Sequence, residues 1–334
     1  MSVNEVKKDA LWHFNYEGFQ KNVEAHCLTS IDQFKKIVRS YMFFHLFFLG
    51  FLTAEVSTFF VSLTILFQRS LIAISLAAIL VTGFTYLILL FYFQTKKPGQ
   101  FFELRNYFML LCKKRLPKSL LRSEYHLSLA NAAYQFATQL NRHESHLHKA
   151  ISKTVSLNHL IRKFTNFCYH KDIQQMQELL LIVSVNEHVQ LIKNTPTNLE
   201  AHASLANTYV ALSRLYRHQE GDKFKRTTEK AIEEFKIIDH YSPKDPWVHA
   251  QLASCYHDLK MIGEEIHEYE KILSLCPEDK QILFRLGILY FQKGESAKGL
   301  QIYETLQAMH FSRAEELIDF YDANIKQEYL VTSL

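Results

Sequence analysis

The chain has 334 residues, a formal net charge of +4, 48% hydrophobic residues and 22% charged ones. Only nine glycines and six prolines argue against Gly-rich phosphate loops, collagen-like repeats and turn-dense β-barrels, while 13% aromatics speak against end-to-end disorder. Five cysteines (Cys27, Cys112, Cys168, Cys255, Cys276) with no Cys-x-x-Cys pair argue against a disulfide scaffold, a zinc ribbon or a thioredoxin-like site.

Residues 1–40 read as a cytoplasmic segment with charges throughout. It lacks a short apolar core ahead of a small-residue cleavage site, so a cleaved signal peptide is not expected. Ser30 and Gln33 stand in capping-box spacing, which predicts a helix starting near Ile31. Residues 41–94 are almost wholly apolar, with Gln68 and Arg69 as the strongly polar pair between two lobes. Each lobe has the roughly 20 apolar residues that a membrane-spanning helix needs. The segment therefore reads as a two-helix transmembrane hairpin. Lys35, Lys36 and Arg39 precede it and Lys96, Lys97, Lys113, Lys114 and Arg115 follow it, which by the positive-inside rule places both termini on the cytoplasmic side. Pro98-Gly99 is expected to stop the second helix.

Glu55 is the one acid of the first lobe. An ionisable group in a membrane is a functional candidate, here as a proton or ion relay. The competing reading puts Glu55, Thr58 and Ser62 on one helix face that packs against the second span, which offers Ser70, Ser75, Thr82, Thr85 and Tyr86, or against another copy of the chain. Residues 95–122 are basic and carry Phe101, Leu104, Phe108 and Leu111 at helical spacing. Such a stripe fits a helix lying on anionic lipid or a helix docked on a domain, and the sequence favours neither.

From residue 123 onward apolar residues recur at three- and four-residue steps with no strand pattern, so the region reads as all-helical. Leu252, Tyr256, Ile266, Tyr269 and Leu273 are followed 34 residues later by Leu286, Tyr290, Leu300, Tyr303 and Gln307. Pro243 and Pro277 keep the same 34-residue step. Residues 199–313 thereby resemble the tetratricopeptide (TPR) repeat, whose period is 34. Leu252, Ala253, Tyr256 and Tyr269 fall on the motif's positions in one unit; Leu286, Gly287, Tyr290, Gly299 and Tyr303 do so in the next. Upstream, Leu205, Ala206 and Tyr209 make a first helix and Ala231, Ile232 and Phe235 a second, with 13 surplus residues that predict a longer turn or extended helices. Glu265 takes a place usually held by Ala, which puts the packing of that unit in question. Ser128-Leu129-Ala130-Asn131 echoes Ser204-Leu205-Ala206-Asn207, so residues 123–198 are expected to be helical with degenerate repeats; residues 314–334 are expected to form a capping helix.

The resemblance implies an all-α chain in which the hairpin is followed by an α-solenoid of helix pairs. It implies a concave groove lined by first helices that receives a protein or peptide: Asn207, Val210, Trp247, Gln251, Ser254, His257, Phe284, Arg285, Ile288 and Phe291. The groove lacks the lysines of TPR proteins that clamp a C-terminal carboxylate.

Sequence patterns for catalysis are missing: no Walker A, dinucleotide or nucleophile-elbow motif occurs. His143 and His146 share a helix face, but Leu147 stands where a His-Glu-x-x-His zinc site needs its second histidine. No cofactor or metal is expected. Residues 96–120 carry seven Lys/Arg and one acid, a net of +6, while residues 196–334 carry sixteen Lys/Arg and twenty-two acids, a net of −6. The acidic repeats disfavour nucleic acid as a partner. The leading reading is a membrane-anchored, non-catalytic scaffold that holds other proteins at the cytoplasmic face, with lipid bilayer as its second partner and self-association through the hairpin. The bilobed hydrophobic hairpin also resembles chlamydial inclusion membrane proteins, which implies a secreted protein displaying its repeats to host cytosol; bacterial inner membrane and inclusion membrane fit the sequence equally. A third reading is an ion-coupled membrane protein built on Glu55.

Overall fold

The computed structural model describes residues 16–66, 69–147, 158–217 and 221–332, without the side chains of 65–66, 141–147, 158–168 and 324–332. Every regular element among the described residues is helical. The chain divides into two compact units, Met1–Asn194 and Thr195–Leu334.

The first unit is built on two very long helices, α1 (Tyr16–Val61) and α2 (Arg69–Arg115), of 46 and 47 residues. Neither boundary follows the local signals in the sequence. Helix α1 is already formed at Tyr16, and Ser30 lies buried inside it rather than capping it. Helix α2 runs through Pro98 and Gly99 without ending. An interior proline costs a helix about 3 kcal/mol, so packing on both sides must outweigh it. That packing is visible: Phe101, Leu104, Phe108 and Cys112 of α2 and Phe19, Val23, Cys27, Ile31, Phe34 and Val38 of α1 are all buried. The Phe34 and Phe101 rings lie 5.2 Å apart.

This lower half of α1 and α2 forms a four-helix core with α3 (Arg122–Leu147) and α4 (Asn158–Asn194). Helix α3 contributes Leu129, Ala130, Ala133, Phe136 and Ala137, and the Phe136 ring lies 4.7 Å from that of Phe108, tilted by 48°. The alanines let α4 come close enough for its side chains to reach the α3 backbone. Ser184 donates to the Ala130 carbonyl at 3.0 Å and Gln177 to the Ala137 carbonyl at 3.1 Å. The stripe of residues 101–112 is thus a docking stripe of this bundle, not a lipid-facing one. Helices α3 and α4, 26 and 37 residues long, belong to the bundle.

His188 on α4 is fully enclosed. Its Nδ1 donates to the Ser184 carbonyl at 2.9 Å, and Nε2 is buried without a partner among the described residues. Burial drives its pKa down to about 4, against a smaller upward pull from the Ser184 carbonyl. Between the ordinary histidine value and about 4 the unfolded chain takes up a proton that the folded one refuses. Stability of this unit is therefore complete above the ordinary value and falls as acidity approaches pH 4, by up to about 3 kcal/mol. Thermal unfolding between pH 7 and pH 4.5 checks this, and His188→Gln, which cannot ionise, flattens the profile; an unchanged profile contradicts it.

Above the bundle the two long helices continue as an antiparallel hairpin whose apolar side chains face outward. Phe47 is 67% exposed, Phe84 67% and Phe91 68%. Both helices are long and apolar enough to cross a membrane. The first ends in one turn of π-helix, Ser62–Leu66. Between the helices, Phe44 meets Phe93 edge-on at 4.6 Å and lies parallel to Tyr86 at 5.8 Å, and His45 Nδ1 is 3.0 Å from the Tyr86 hydroxyl.

The second unit is a row of helix pairs: α5 (Leu199–Tyr216) with α6 (Gly221–Tyr241), α7 (Pro246–Asp258) with α8 (Ile262–Leu275), and α9 (Lys280–Lys293) with α10 (Ser296–Ala308), followed by α11 (Ala314–Thr332). Helices α7 and α9 start 34 residues apart, as do α8 and α10. The 13 surplus residues of the first pair lengthen its helices, 18 and 21 residues against 13 and 14 in the second pair. Each pair is entered by the same device. In Thr195-Pro196-Thr197-Asn198, Ser242-Pro243-Lys244-Asp245 and Cys276-Pro277-Glu278-Asp279, the last amide donates to the first carbonyl at 3.2 Å. The Asn198, Asp245 and Asp279 side chains then accept from the backbone amides of Ala201, Trp247 and Gln281, capping α5, α7 and α9. Such a cap contributes about 1 kcal/mol.

Candidate functional site

Two histidines repeat one buried arrangement in the second unit. His202 and His249 each sit four residues after the capping residue, with relative exposures of 5% and 1%. The His202 ring pairs through Nδ1 with Glu234 of α6 at 2.5 Å and through Nε2 with the Pro196 carbonyl at 3.0 Å. His249 does the same with Glu268 of α8 at 2.7 Å and the Pro243 carbonyl at 3.0 Å. Each ring ties the entry turn, the first helix and the second helix together. In the third pair the equivalent positions are Leu283 and Ile302, an apolar contact in place of the polar one. The expectations from sequence did not include this arrangement, although Pro and His recur there at an equal offset of six residues.

Glu265 on α8 occupies the position of Ala231 in the first pair and Gly299 in the third. Its carboxylate is 1% exposed and fully partnered. Arg285 of α9 donates to Oε1 through Nε at 3.2 Å and through Nη2 at 2.8 Å, and His257 of α7 reaches Oε2 at 3.1 Å. Three helices from two successive pairs thus meet on one buried charge. The small residue that the repeat pattern asks for is replaced by an ion pair that bridges the pairs.

The expected groove residues separate into two groups. Trp247 and Ser254 are exposed; Trp247, at 41%, rests its ring edge-on against Phe235 of α6 at 5.8 Å. His257 is exposed, and Asn207, Val210, Gln251 and Arg285 are half-buried. Trp247 serves inter-helix packing with one edge and remains accessible with the other. Phe284 and Phe291 are a correction. Both belong to the core formed with Leu306, Ala314 and Leu317, with Ile288 packed against it. Phe284 lies 5.8 Å from Phe311 with the Arg313 guanidinium 4.6 Å above its ring, and Phe291 lies 4.8 Å from Tyr321. Helix α11 covers the face of α9 that would have lined the groove. Gly287 and Gly299 make room for this: a Cβ on Gly287 would come within 2.7 Å of Leu317, and one on Gly299 within 2.3 Å of Phe291.

In the hairpin, the three residues expected on one packing face behave differently. The Thr82 hydroxyl of α2 donates to Glu55 Oε1 at 2.9 Å, so Glu55 pairs with the second helix of its own hairpin. The Thr58 hydroxyl is used on the Glu55 carbonyl at 2.7 Å, and the Ser62 hydroxyl on the Thr58 carbonyl at 2.9 Å. Glu55 Oε2 is buried and has no partner among the described residues. Among those residues no three His, Cys, Asp or Glu side chains converge as a metal site would require. The side chains of His143 and His146 lie outside the described residues.

No known protein family matches the chain, and no curated relative matches it. Among solved structures it is similar to a thermophilic TPR protein of Thermus thermophilus, at 18% identity and a TM-score of 0.31, over 59% of this chain and 98% of that one. The repeat described above rests on the helix spacing of this chain and not on that likeness. Nothing in the fold or the comparisons supports the resemblance to chlamydial inclusion membrane proteins.

Proposed function

We propose that the chain is a membrane-anchored scaffold. The α1–α2 hairpin is the anchor, both termini face the cytoplasm, and the face of α5 and α7 receives a helix or extended segment of a partner protein. One observation carries the reading. The same two helices are buried in a bundle over one half and expose phenylalanine, leucine and isoleucine on all sides over the other. Water does not tolerate so large a continuous apolar surface, whereas lipid requires it. The apolar stretch of α1 from Phe43 to Val61 spans about 28 Å at 1.5 Å per residue, close to the hydrocarbon thickness of a bilayer.

Binding through the α5–α7 face follows from what is left uncovered. Helix α11 closes the row at α9, so the free face carries Asn207, Val210, Trp247, Gln251 and Ser254. A half-anchored tryptophan on a face whose other named residues are uncharged suits an apolar partner residue better than a carboxylate. A photo-crosslinker at Ser254 of the full chain in its own membrane tests this. It captures a partner, Trp247→Ala reduces the capture at least tenfold, and a crosslinker at the exposed Lys236 of α6 captures none. Equal capture from Ser254 and Lys236, or capture indifferent to Trp247, contradicts the groove.

A further inference from the structure

At the foot of the hairpin, where α1 and α2 enter the bundle, a cavity of about 290 Å³ opens between α1, α2 and α4. Apolar Val38, Met42, Leu90 and Phe93 line it together with the charged Lys97, Lys171 and Asp172. This is the size of a small ligand pocket, at the lower end of the usual range.

Asp172 is the unusual member. It is 5% exposed, and one carboxylate oxygen takes a 2.5 Å ion pair from Lys97, whose ammonium lies 5.3 Å from the Tyr41 ring centre. The other oxygen, Oδ2, is buried and has no hydrogen-bond partner among the described residues. Burial raises the Asp172 pKa even with Lys97 beside it. The site is therefore short of one hydrogen-bond donor. Lys171, exposed at the mouth, supplies a cation that Asp172 does not directly bind. A buried carboxylate with a free oxygen, an exposed lysine and apolar lining residues are what the ammonium, phosphate and acyl chains of an aminophospholipid each require.

We propose that this cavity binds the head group of a phospholipid bearing a primary ammonium, which donates to Asp172 Oδ2 while Lys171 holds the phosphate and the acyl chains run along the apolar face of the hairpin. The proposal rests on the anchoring reading. Its specificity is against a trimethylammonium head group, which has the same charge but no N–H to donate. A purely anionic head group offers no ammonium N–H to Asp172 and forfeits that charged hydrogen bond.

The test reconstitutes the full chain into discs of phosphatidylcholine alone, or with equal parts of phosphatidylethanolamine or phosphatidylglycerol, and measures the lipids that remain on the protein by native mass spectrometry. The expected result is retention of phosphatidylethanolamine at least about tenfold over phosphatidylcholine, the gain from one charged hydrogen bond. Asp172→Asn abolishes the preference. Lys171→Gln, which leaves the buried pair intact, lowers the retention of both lipids severalfold and keeps the preference, so the proposal does not depend on the folding of one variant. Retention in proportion to the bilayer, or enrichment of phosphatidylglycerol above phosphatidylethanolamine, overturns it. Complete displacement of the lipid by soluble phosphoethanolamine also overturns it, since the site would then belong to a water-soluble phosphoamine. A chain that enters no disc, phosphatidylcholine included, shows instead that the anchoring reading has failed and takes the lipid site with it.

Discussion

Replacing Arg285 by alanine is expected to destabilise the second unit by about 3–5 kcal/mol, the cost of leaving a buried charge without its partner. The Glu265 carboxylate that Arg285 serves is 1% exposed, and His257 would remain as its one contact. For a unit of this size that loss lowers the unfolding temperature by about 10 °C or more. The second half of the prediction is the informative one. Ala231 and Gly299 occupy the position of Glu265 in the neighbouring pairs, so the fold accepts a small residue there. Glu265→Ala with Arg285→Ala should therefore be markedly more stable than Arg285→Ala alone, by about 2 kcal/mol or more. Thermal unfolding of the full chain, with Trp247 as the reporter in a Trp12→Phe background, measures both. A double variant as unstable as the single one, or a single variant within about 1 kcal/mol of the parent, contradicts the account of the buried bridge.

Placing one arginine at Val81 is expected to cost about 3 kcal/mol of membrane insertion and to lower the ratio of inserted to non-inserted chain about 100-fold. Val81 stands near the middle of the apolar part of α2 and is 66% exposed. On a water-facing helix the same substitution at so exposed a site would shift stability by no more than about 0.5 kcal/mol. Lipid and water thus predict opposite outcomes for one change. Leu121→Arg is the control: Leu121 is also an exposed apolar residue, 58% accessible, but lies outside the hairpin. Cell-free synthesis in the presence of vesicles yields the ratio directly. Equal insertion of the parent and Val81→Arg contradicts the anchor.

Much of this architecture was legible because it is written in periodicity and composition. The apolar run of residues 41–94 and the 34-residue step of the repeats need no tertiary information. What could not be read locally was decided by packing between distant segments. Pro98 looks like a helix stop, yet Phe101, Leu104 and Phe108 hold α2 together beyond it by packing into the bundle with α1, α3 and α4. Ser30 looks like a cap, yet Cys27, Ile31 and Phe34 carry α1 through it into the same core. Phe284 and Phe291 sit at groove positions of the repeat and are buried because α11 folds over α9, a route that the spacing within the repeats does not encode. Glu265 looked like a packing fault; its partner Arg285 lies 20 residues on, in the next pair. The Pro–His half of the arrangement in the first two pairs was readable in principle, because the two residues stand six apart in both; the Glu partner was not, because the longer first pair shifts its offset.

The scaffold reading stands on the hairpin crossing a membrane, with the repeats on the other side from its tip. Thiol labelling tests it with the chain's own chemistry. Burial pushes the Cys112 and Cys255 thiols up to about 12 and Cys27 higher still, so these three stay unreactive, while Cys276 is exposed. With Cys168→Ser as background, an impermeant maleimide is applied to sealed spheroplasts carrying either this protein or its Arg69→Cys derivative. The expected result is that the thiol at position 69 is labelled from outside and that Cys276 is labelled only after lysis. Labelling of both thiols from the same side contradicts it.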